Sequence, residues 1–148
     1  MIDKSKITVV DGAMGTSIQN FDLKPSDFGA EEYDGCNEYL NLVNPQYIKS
    51  VHQSFIDVGA DIIQTNSFGG TPMVLDEYGL SDKAEEINFQ SSVIAKSVAS
   101  KNPRTLVAGS MGPTTKLLSL TQIKTNDITF DYLIENYRVQ ARGLISGG

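Results

Sequence analysis

The length, composition and charge of the chain exclude several classes of protein. Its 148 residues are 40% hydrophobic, which is too apolar for a disordered chain, and the length is that of one ordinary globular domain. With 12 basic and 18 acidic residues, the net charge is −6. The chain therefore lacks the basic surface that binds a phosphate backbone, and we expect no nucleic-acid partner. No apolar run approaches the roughly 20 residues that cross a bilayer, so we expect no membrane association.

The chain holds one cysteine, Cys36, and one histidine, His52. A single residue of each type excludes an internal disulfide framework and any metal site built from several cysteines or histidines of this chain. A free thiol suits a reducing compartment, and the first residues are too weakly apolar for a signal peptide, so the predicted location is the cytoplasm. His52 falls on a predicted helix, where a surface or interhelix position is favoured over catalysis.

The predicted elements alternate between strand and helix along the chain. Apolar runs that end in glycine or polar residues predict parallel strands at residues 7–10, 60–68 and 105–110. Apolar residues at helical spacing predict helices at residues 45–58, 82–100 and 130–145. Side chains able to cap a first helical turn precede these helices, namely Asn44, Ser81 and Thr129.

Two segments are predicted to lack regular structure. Residues 11–16 are rich in glycine and are interpreted as the exit loop of the first strand. Residues 20–43 show no sustained period, and a stretch of that length within a domain is usually functional or disordered.

Alternation of strand and helix predicts an α/β fold in which helices pack on a parallel sheet. Three parallel strands alone leave two unpaired edges, and the final Gly147-Gly148 stands where a helix ends and a fourth strand would begin. We therefore expect residues 1–148 to be the N-terminal part of a larger α/β domain, truncated before its fourth strand. Open sheet edges would then favour self-association. A complete three-stranded unit is the alternative.

The three predicted strands all end in small or polar residues. Asp11 and Gly12 follow the first strand, Gln64 and Thr65 end the second, and Ser110 ends the third. Binding sites in parallel α/β folds form at the C-terminal ends of strands. A carboxylate, an amide, hydroxyls and glycine N–H groups at one rim suit a small ligand that carries an ammonium and a carboxylate. Each residue could instead serve only to form a turn or to satisfy a loop.

Four motifs occur in an order that resembles the homocysteine S-methyltransferase family. They are VDGAMGT at residues 10–16, GCNEYLNL at 35–42, GADIIQTNSF at 59–68 and VAGSMGPT at 107–114. The second and fourth motifs favour the branch that contains the homocysteine-binding domain of cobalamin-dependent methionine synthase. Betaine-dependent and other homocysteine methyltransferases share the Asp-Gly and Gln-Thr elements more loosely.

This resemblance implies a (β/α)8 TIM barrel of roughly twice the present length, of which this chain would supply the first three units. It implies that Asp11 and Gly12 hold the amino and carboxylate groups of homocysteine, with Gln64, Thr65 and Ser110 in the same pocket. It also implies zinc, held by three cysteines of later strands, and cobalamin as the carrier of the methyl group. This chain has none of those cysteines, so we expect it to bind neither cofactor and to contain no catalytic residue of its own.

The resemblance further implies the partners of the chain, which are homocysteine and the rest of the parent chain with its cobalamin and folate domains. Three other functions stay open. One is a betaine- or S-methylmethionine-type homocysteine methyltransferase, and another is a small α/β binding module without catalysis. The third is a barrel enzyme of another kind that uses Asp11 as a general base.

Overall fold

The structure is a computed structural model that describes residues 5–116 and 128–148. Within these ranges it contains two short strands, which pair in parallel. Strand β1 (Ile62–Gln64) pairs with strand β2 (Leu106–Ala108), with Ile62 opposite Leu106 and Gln64 opposite Ala108. Both strands lie inside predicted ones and are shorter, because residues 65–68 and 109–110 turn into loops. The parallel arrangement is as predicted.

The first predicted strand, residues 7–10, contributes one parallel bridge between Val10 and Ile62 rather than a strand. Backbone hydrogen bonds from Ile62 N to Val9 O, at 3.1 Å, and from Asp11 N to Ile62 O, at 2.9 Å, flank this bridge. The side chain of Ile7 is 92% exposed. The start of the segment therefore buries little apolar surface, and burial does not favour a longer pairing with β1. Residues 9–11, β1 and β2 nevertheless lie side by side in chain order.

Helices make up most of the remaining described structure. The α-helices are α1 (Met14–Gln19), α2 (Leu40–Val43), α3 (Pro45–Asp57), α4 (Pro72–Leu75), α5 (Ala84–Ala99) and α6 (Phe130–Ser146). Short 3-10 helices cover Pro25–Phe28, Glu31–Tyr33, Asn37–Tyr39, Asp76–Tyr78 and Ser81–Lys83. Helix α5 packs between α3 and α6 and contacts both strands. Within the two described ranges, no helix combines the length and apolar character needed to cross a membrane.

The segments predicted to be irregular are built from short helices. Helix α1 begins inside the predicted exit loop and covers its second half, and residues 20–43 form three 3-10 helices followed by α2. Phe28 and Leu40 from this stretch are buried together with Ile18, Ile48, Val51 and Ile94. The apolar residues within residues 20–43 reach the core from short 3-10 helices and from α2. The spacing of apolar residues in such short helices gives no sustained period in the sequence.

Of the three predicted capping residues, only Thr129 caps a helix with its side chain. Thr129 Oγ1 accepts a hydrogen bond from Tyr132 N at 3.1 Å. The Asn44 side chain instead donates to the backbone oxygen of Asp27, and so ties the turn at Pro25–Phe28 to the start of α3. Ser81 opens a 3-10 helix ahead of α5 and makes no cap, because the chain is already turning there.

The buried face of α6 differs from the apolar face that the sequence predicts. The buried side of the helix carries Asn136, Gln140, Gly143 and Leu144. Among the apolar residues whose helical spacing predicts this helix, Phe130 and Ile145 are 67% and 78% exposed. A groove of about 300 Å³ between β2 and α6 is lined by the apolar side chains of Val107, Met111, Ala141, Leu144 and Ile145, among others. The chain therefore presents an exposed apolar surface beside β2.

His52 is a fully buried histidine whose two ring nitrogens have no hydrogen-bond partner among the described residues. Burial favours the neutral ring and lowers the pKa of His52 from 6.5 to about 4. In the unfolded chain the ring takes up a proton below about pH 6.5, whereas in the folded chain it does so only near pH 4. The unfolded chain therefore gains a proton that the folded chain does not, and the free energy of unfolding falls as the pH drops from about 6.5 toward 4.

We expect the free energy of unfolding to lose about 2 kcal/mol through His52 between pH 7 and pH 5. Urea titrations of the natural chain and of a His52→Leu variant at both pH values measure this loss. The variant lacks the titrating ring, so it should lose less on acidification. Because the ring makes no hydrogen bond to any residue of the described ranges, leucine breaks none there, and the variant should be at least as stable at pH 7. Equal losses in the two proteins would contradict this role.

A polar cavity at the strand ends

A cavity of about 410 Å³ lies at the C-terminal ends of the strands. Its lining includes all five residues that the sequence predicts as a site, namely Asp11, Gly12, Gln64, Thr65 and Ser110. Parallel pairing in chain order produces this grouping, since it brings the ends of β1, β2 and the bridged segment at residues 9–11 to one edge. Their role as contacts of a ligand stays a prediction.

The Asp11 carboxylate is fixed by the neighbouring strand. Asp11 Oδ2 accepts a hydrogen bond from Gln64 N at 2.9 Å, and Oδ1 accepts one from Gln64 Nε2 at 3.2 Å. Burial raises the pKa of Asp11, and the two hydrogen bonds from Gln64 oppose part of that rise. A cation placed against this carboxylate would favour its charged form. Gln64 thus acts on Asp11 and holds it in one orientation.

Thr65, Ser67 and Ser110 close a ring of hydrogen bonds between the ends of β1 and β2. Ser110 N donates to Thr65 Oγ1 at 2.8 Å, and Ser67 Oγ donates to Ser110 O at 2.8 Å. Thr65 Oγ1 and Ser67 Oγ are 2.6 Å apart, and the Ser67 hydrogen is already given to Ser110, so Thr65 donates in this pair. The Thr65 hydroxyl therefore holds the cavity wall, with Ser110 beside it.

Polar side chains of α6 hold the loops that carry this wall. Gln140 Nε2 donates to Ser67 O at 2.6 Å, and Tyr137 Oη donates to Gly112 O at 3.1 Å. Asn136 Oδ1 accepts a hydrogen bond from Met73 N at 2.7 Å. These contacts explain why the buried face of α6 is polar. Sequence reasoning missed them because their partners are backbone groups distant in the chain.

A second wall of the cavity comes from the stretch predicted to be irregular. Asn37 and Glu38 line the cavity beside residues of the loop that follows β1. Asn66 Nδ2 donates to Asn37 O at 2.8 Å, and Asn41 Nδ2 donates to Asn66 O at 2.8 Å. Glu38 Oε1 accepts a hydrogen bond from Gly69 N at 2.7 Å. The GCNEYLNL motif contains Asn37, Glu38 and Asn41, but the sequence alone does not show that it folds over the strand ends.

The described residues do not fit the zinc site that the family resemblance implies. No group of three or more His, Cys, Asp or Glu in residues 5–116 and 128–148 is placed to hold a metal ion. Cys36 is 1% exposed, and burial raises the pKa of its thiol to about 11, which opposes the thiolate that zinc requires.

Comparison with known proteins agrees with these strand-end motifs. The sequence model of the family described as homocysteine S-methyltransferase matches residues 8–148. The chain belongs to the homocysteine S-methyltransferase family. The matched range includes the four motifs and the helices between them. All described residues that line the cavity therefore lie within the part of the chain that matches the family.

The fold is similar to solved structures of a homocysteine methyltransferase. The metallated form of MmuM from Escherichia coli superposes with a TM-score of 0.72 at 22% sequence identity, over 98% of this chain and 52% of that one. The oxidised form gives a TM-score of 0.70 at 22% identity, over 96% of this chain and 50% of that one. At this identity the likeness concerns the fold. This chain spans about half the length of these two relatives.

Proposed function

We propose that the strand-end cavity binds the amino acid part of homocysteine in a homocysteine S-methyltransferase. One observation carries the proposal: Asp11, Gly12, Gln64, Thr65 and Ser110 line a single cavity in a chain of this family. Asp11 receives the ammonium group of the ligand. The Gly12 backbone and the Ser110 hydroxyl receive its carboxylate. These groups take that role because none of the described lining residues is a lysine or an arginine.

Gln64 and Thr65 act as positioning residues in this proposal. Gln64 donates two hydrogen bonds to Asp11 and so orients the carboxylate toward the cavity. Thr65 accepts from Ser110 N and fixes the backbone that carries the Ser110 hydroxyl. A ligand held at its amino acid end leaves its thiol side chain free for the groups that would activate sulfur and supply the methyl group.

Residues 1–148 are proposed to be the first three units of a (β/α)8 barrel, truncated before its fourth strand. The parallel order of residues 9–11, β1 and β2 supports this, as does similarity to half of a homocysteine methyltransferase chain. The zinc ligands then belong to the rest of the parent protein, and these residues alone are inactive. The complete gene tests this: a fourth strand with a glutamate and a later Cys with a Cys-Cys pair are expected, and their absence contradicts it.

The methyl donor is assigned on the motifs at residues 35–42 and 107–114, which favour the cobalamin-dependent, methionine synthase-like branch. In that assignment methylcobalamin supplies the methyl group that homocysteine sulfur receives, and the cobalamin and folate domains are partners within the same protein. A betaine- or S-methylmethionine-type donor is the second candidate, since the Asp-Gly and Gln-Thr elements are common to those enzymes. Turnover assays of the full-length protein with each donor separate the two.

Calorimetric titration of the full-length protein with homocysteine tests the proposed ligand. Homocysteine should bind, and 1-propanethiol, which has a thiol but no amino acid group, should bind far more weakly. The expected difference follows from the charged contacts at Asp11, which the plain thiol cannot form. Absence of homocysteine binding, or equal affinity for the two compounds, would overturn the proposed function.

The isolated 148-residue chain is expected to self-associate. The outer edge of β2 carries no third strand among the described residues, and the groove between β2 and α6 exposes apolar surface. Sedimentation velocity over a range of concentrations should show dimers or larger species, and an Ile145→Glu variant should shift the distribution toward monomer. A monodisperse monomer of the natural chain that melts cooperatively would contradict the partial-barrel assignment.

A further inference from the structure

The cavity carries two carboxylates. Asp11 lies on one wall and Glu38 on the other, and none of the described residues that line the cavity is Lys, Arg or His. A cation that enters a cavity lined by two carboxylates is attracted by both of them. The charge of the walls therefore selects a ligand that brings a positive group into the cavity.

Glu38 is held at the cavity by a defined contact. It lies in the 3-10 helix Asn37–Tyr39, is half-buried, and accepts a hydrogen bond from Gly69 N through Oε1 at 2.7 Å. The approach is close, because a Cβ at position 69 would lie 3.0 Å from Glu38 Oε1 and the Glu38 side chain would have to shift slightly. An ionised carboxylate offers about four acceptor sites, so one hydrogen bond leaves capacity for a ligand.

The opposite wall holds Asp11 in a comparable way. Both Asp11 oxygens accept from Gln64, as described above, and the carboxylate still lines the cavity. Each carboxylate is thus oriented by a backbone N–H of the loop or strand at β1, from Gln64 and Gly69 respectively. Fixed acceptors of this kind hold a cation without having to reorganise when it binds.

We propose that Glu38 is a specificity-determining residue, a second anionic contact for the ammonium group of the ligand whose first contact is Asp11. This inference rests on the proposed function and refines it. It predicts that the site prefers a thiol that carries an α-amino group over the same thiol acid without that group. If Glu38 served only to hold Gly69, it would affect both ligands alike.

Calorimetry with two ligands on the full-length protein separates these roles. The ligands are homocysteine and 4-mercaptobutyrate, which differ only in the α-amino group. In the Glu38→Gln variant, a neutral amide of the same shape can still accept from Gly69 N. We expect this variant to bind homocysteine about 10-fold more weakly and 4-mercaptobutyrate within about twofold of the unmodified protein. Preference for the amino ligand should therefore fall about 10-fold.

The ratio of the two affinities also serves as the internal control for folding, because a partly unfolded variant loses both ligands in proportion. Glu38→Asp keeps the charge and should retain most of the preference. Glu31→Gln, which removes an exposed acidic residue from the same stretch, should leave the ratio unchanged. An unchanged ratio in Glu38→Gln overturns this inference and leaves the proposed function standing. Failure of the unmodified protein to bind homocysteine overturns both.

Discussion

Replacing Asp11 with asparagine is expected to weaken homocysteine binding by the full-length protein about 100-fold, since the ligand ammonium would lose its charged partner in a half-buried site. Asparagine keeps the shape of the side chain and one oxygen that can accept from Gln64 N. The new amide group would face the Gln64 side chain, which can turn its own oxygen toward it. The expected loss is therefore one of charge rather than of structure.

Asp61 offers a matched control for the Asp11 substitution. Asp61 Oδ2 accepts a hydrogen bond from Val9 N at 2.9 Å, and so joins the same two chain segments at the opposite end of β1. The Asp61→Asn variant carries the same change in net charge and should bind homocysteine within about twofold of the unmodified protein. Calorimetry on both variants decides the matter. Equal losses in the two variants, or full affinity in Asp11→Asn, would contradict the role of Asp11.

Replacing Gly143 with alanine is expected to lower the free energy of unfolding by about 2–3 kcal/mol. A Cβ at this position of α6 would lie 2.5 Å from Glu85 O and 2.8 Å from Asn88 Cβ, so α6 would have to move away from α5. In an exposed helix interior the same substitution stabilises by about 1 kcal/mol, because alanine is the better helix former. A lower free energy of unfolding in Gly143→Ala therefore indicates close packing of α6 on α5, and a higher one indicates its absence.

Urea unfolding of Gly143→Ala measures this loss, and Ser146→Ala, at an exposed position near the end of the same helix, is its control. The control should change stability by less than about 0.5 kcal/mol. Gln140 lies one turn before Gly143 and holds Ser67 O, so displacement of α6 should also weaken homocysteine binding. A stabilising effect of Gly143→Ala would show that α6 does not pack closely on α5.

The part of the site at the strand ends could be predicted from the sequence. Asp11, Gln64 and Ser110 each follow a short apolar run, and parallel strands of an α/β fold end at a common edge. That reasoning requires no distances, only the order of the strands. It was sufficient to place five lining residues of one cavity, although it overestimated the first strand, which forms a single bridge at Val10.

The second wall and the polar face of α6 could not be predicted in the same way. Glu38 lies in a stretch whose short 3-10 turns leave no period in the sequence, and its contact with Gly69 joins residues 31 positions apart. In α6 the spacing of apolar residues shows which of them share a face. It does not show that Gly143 allows the neighbouring, mostly polar face to approach α5. Both features depend on tertiary contacts rather than on local preference.

A crystal structure of the full-length protein with homocysteine bound tests the central claim most directly. The proposed function predicts that the ligand lies in the cavity between Asp11 and Ser110, with its ammonium nitrogen within hydrogen-bond distance of the Asp11 carboxylate. Its carboxylate should contact the Gly12 backbone or the Ser110 hydroxyl. Homocysteine bound at another place, or bound in this cavity with its ammonium group away from Asp11, would contradict the claim.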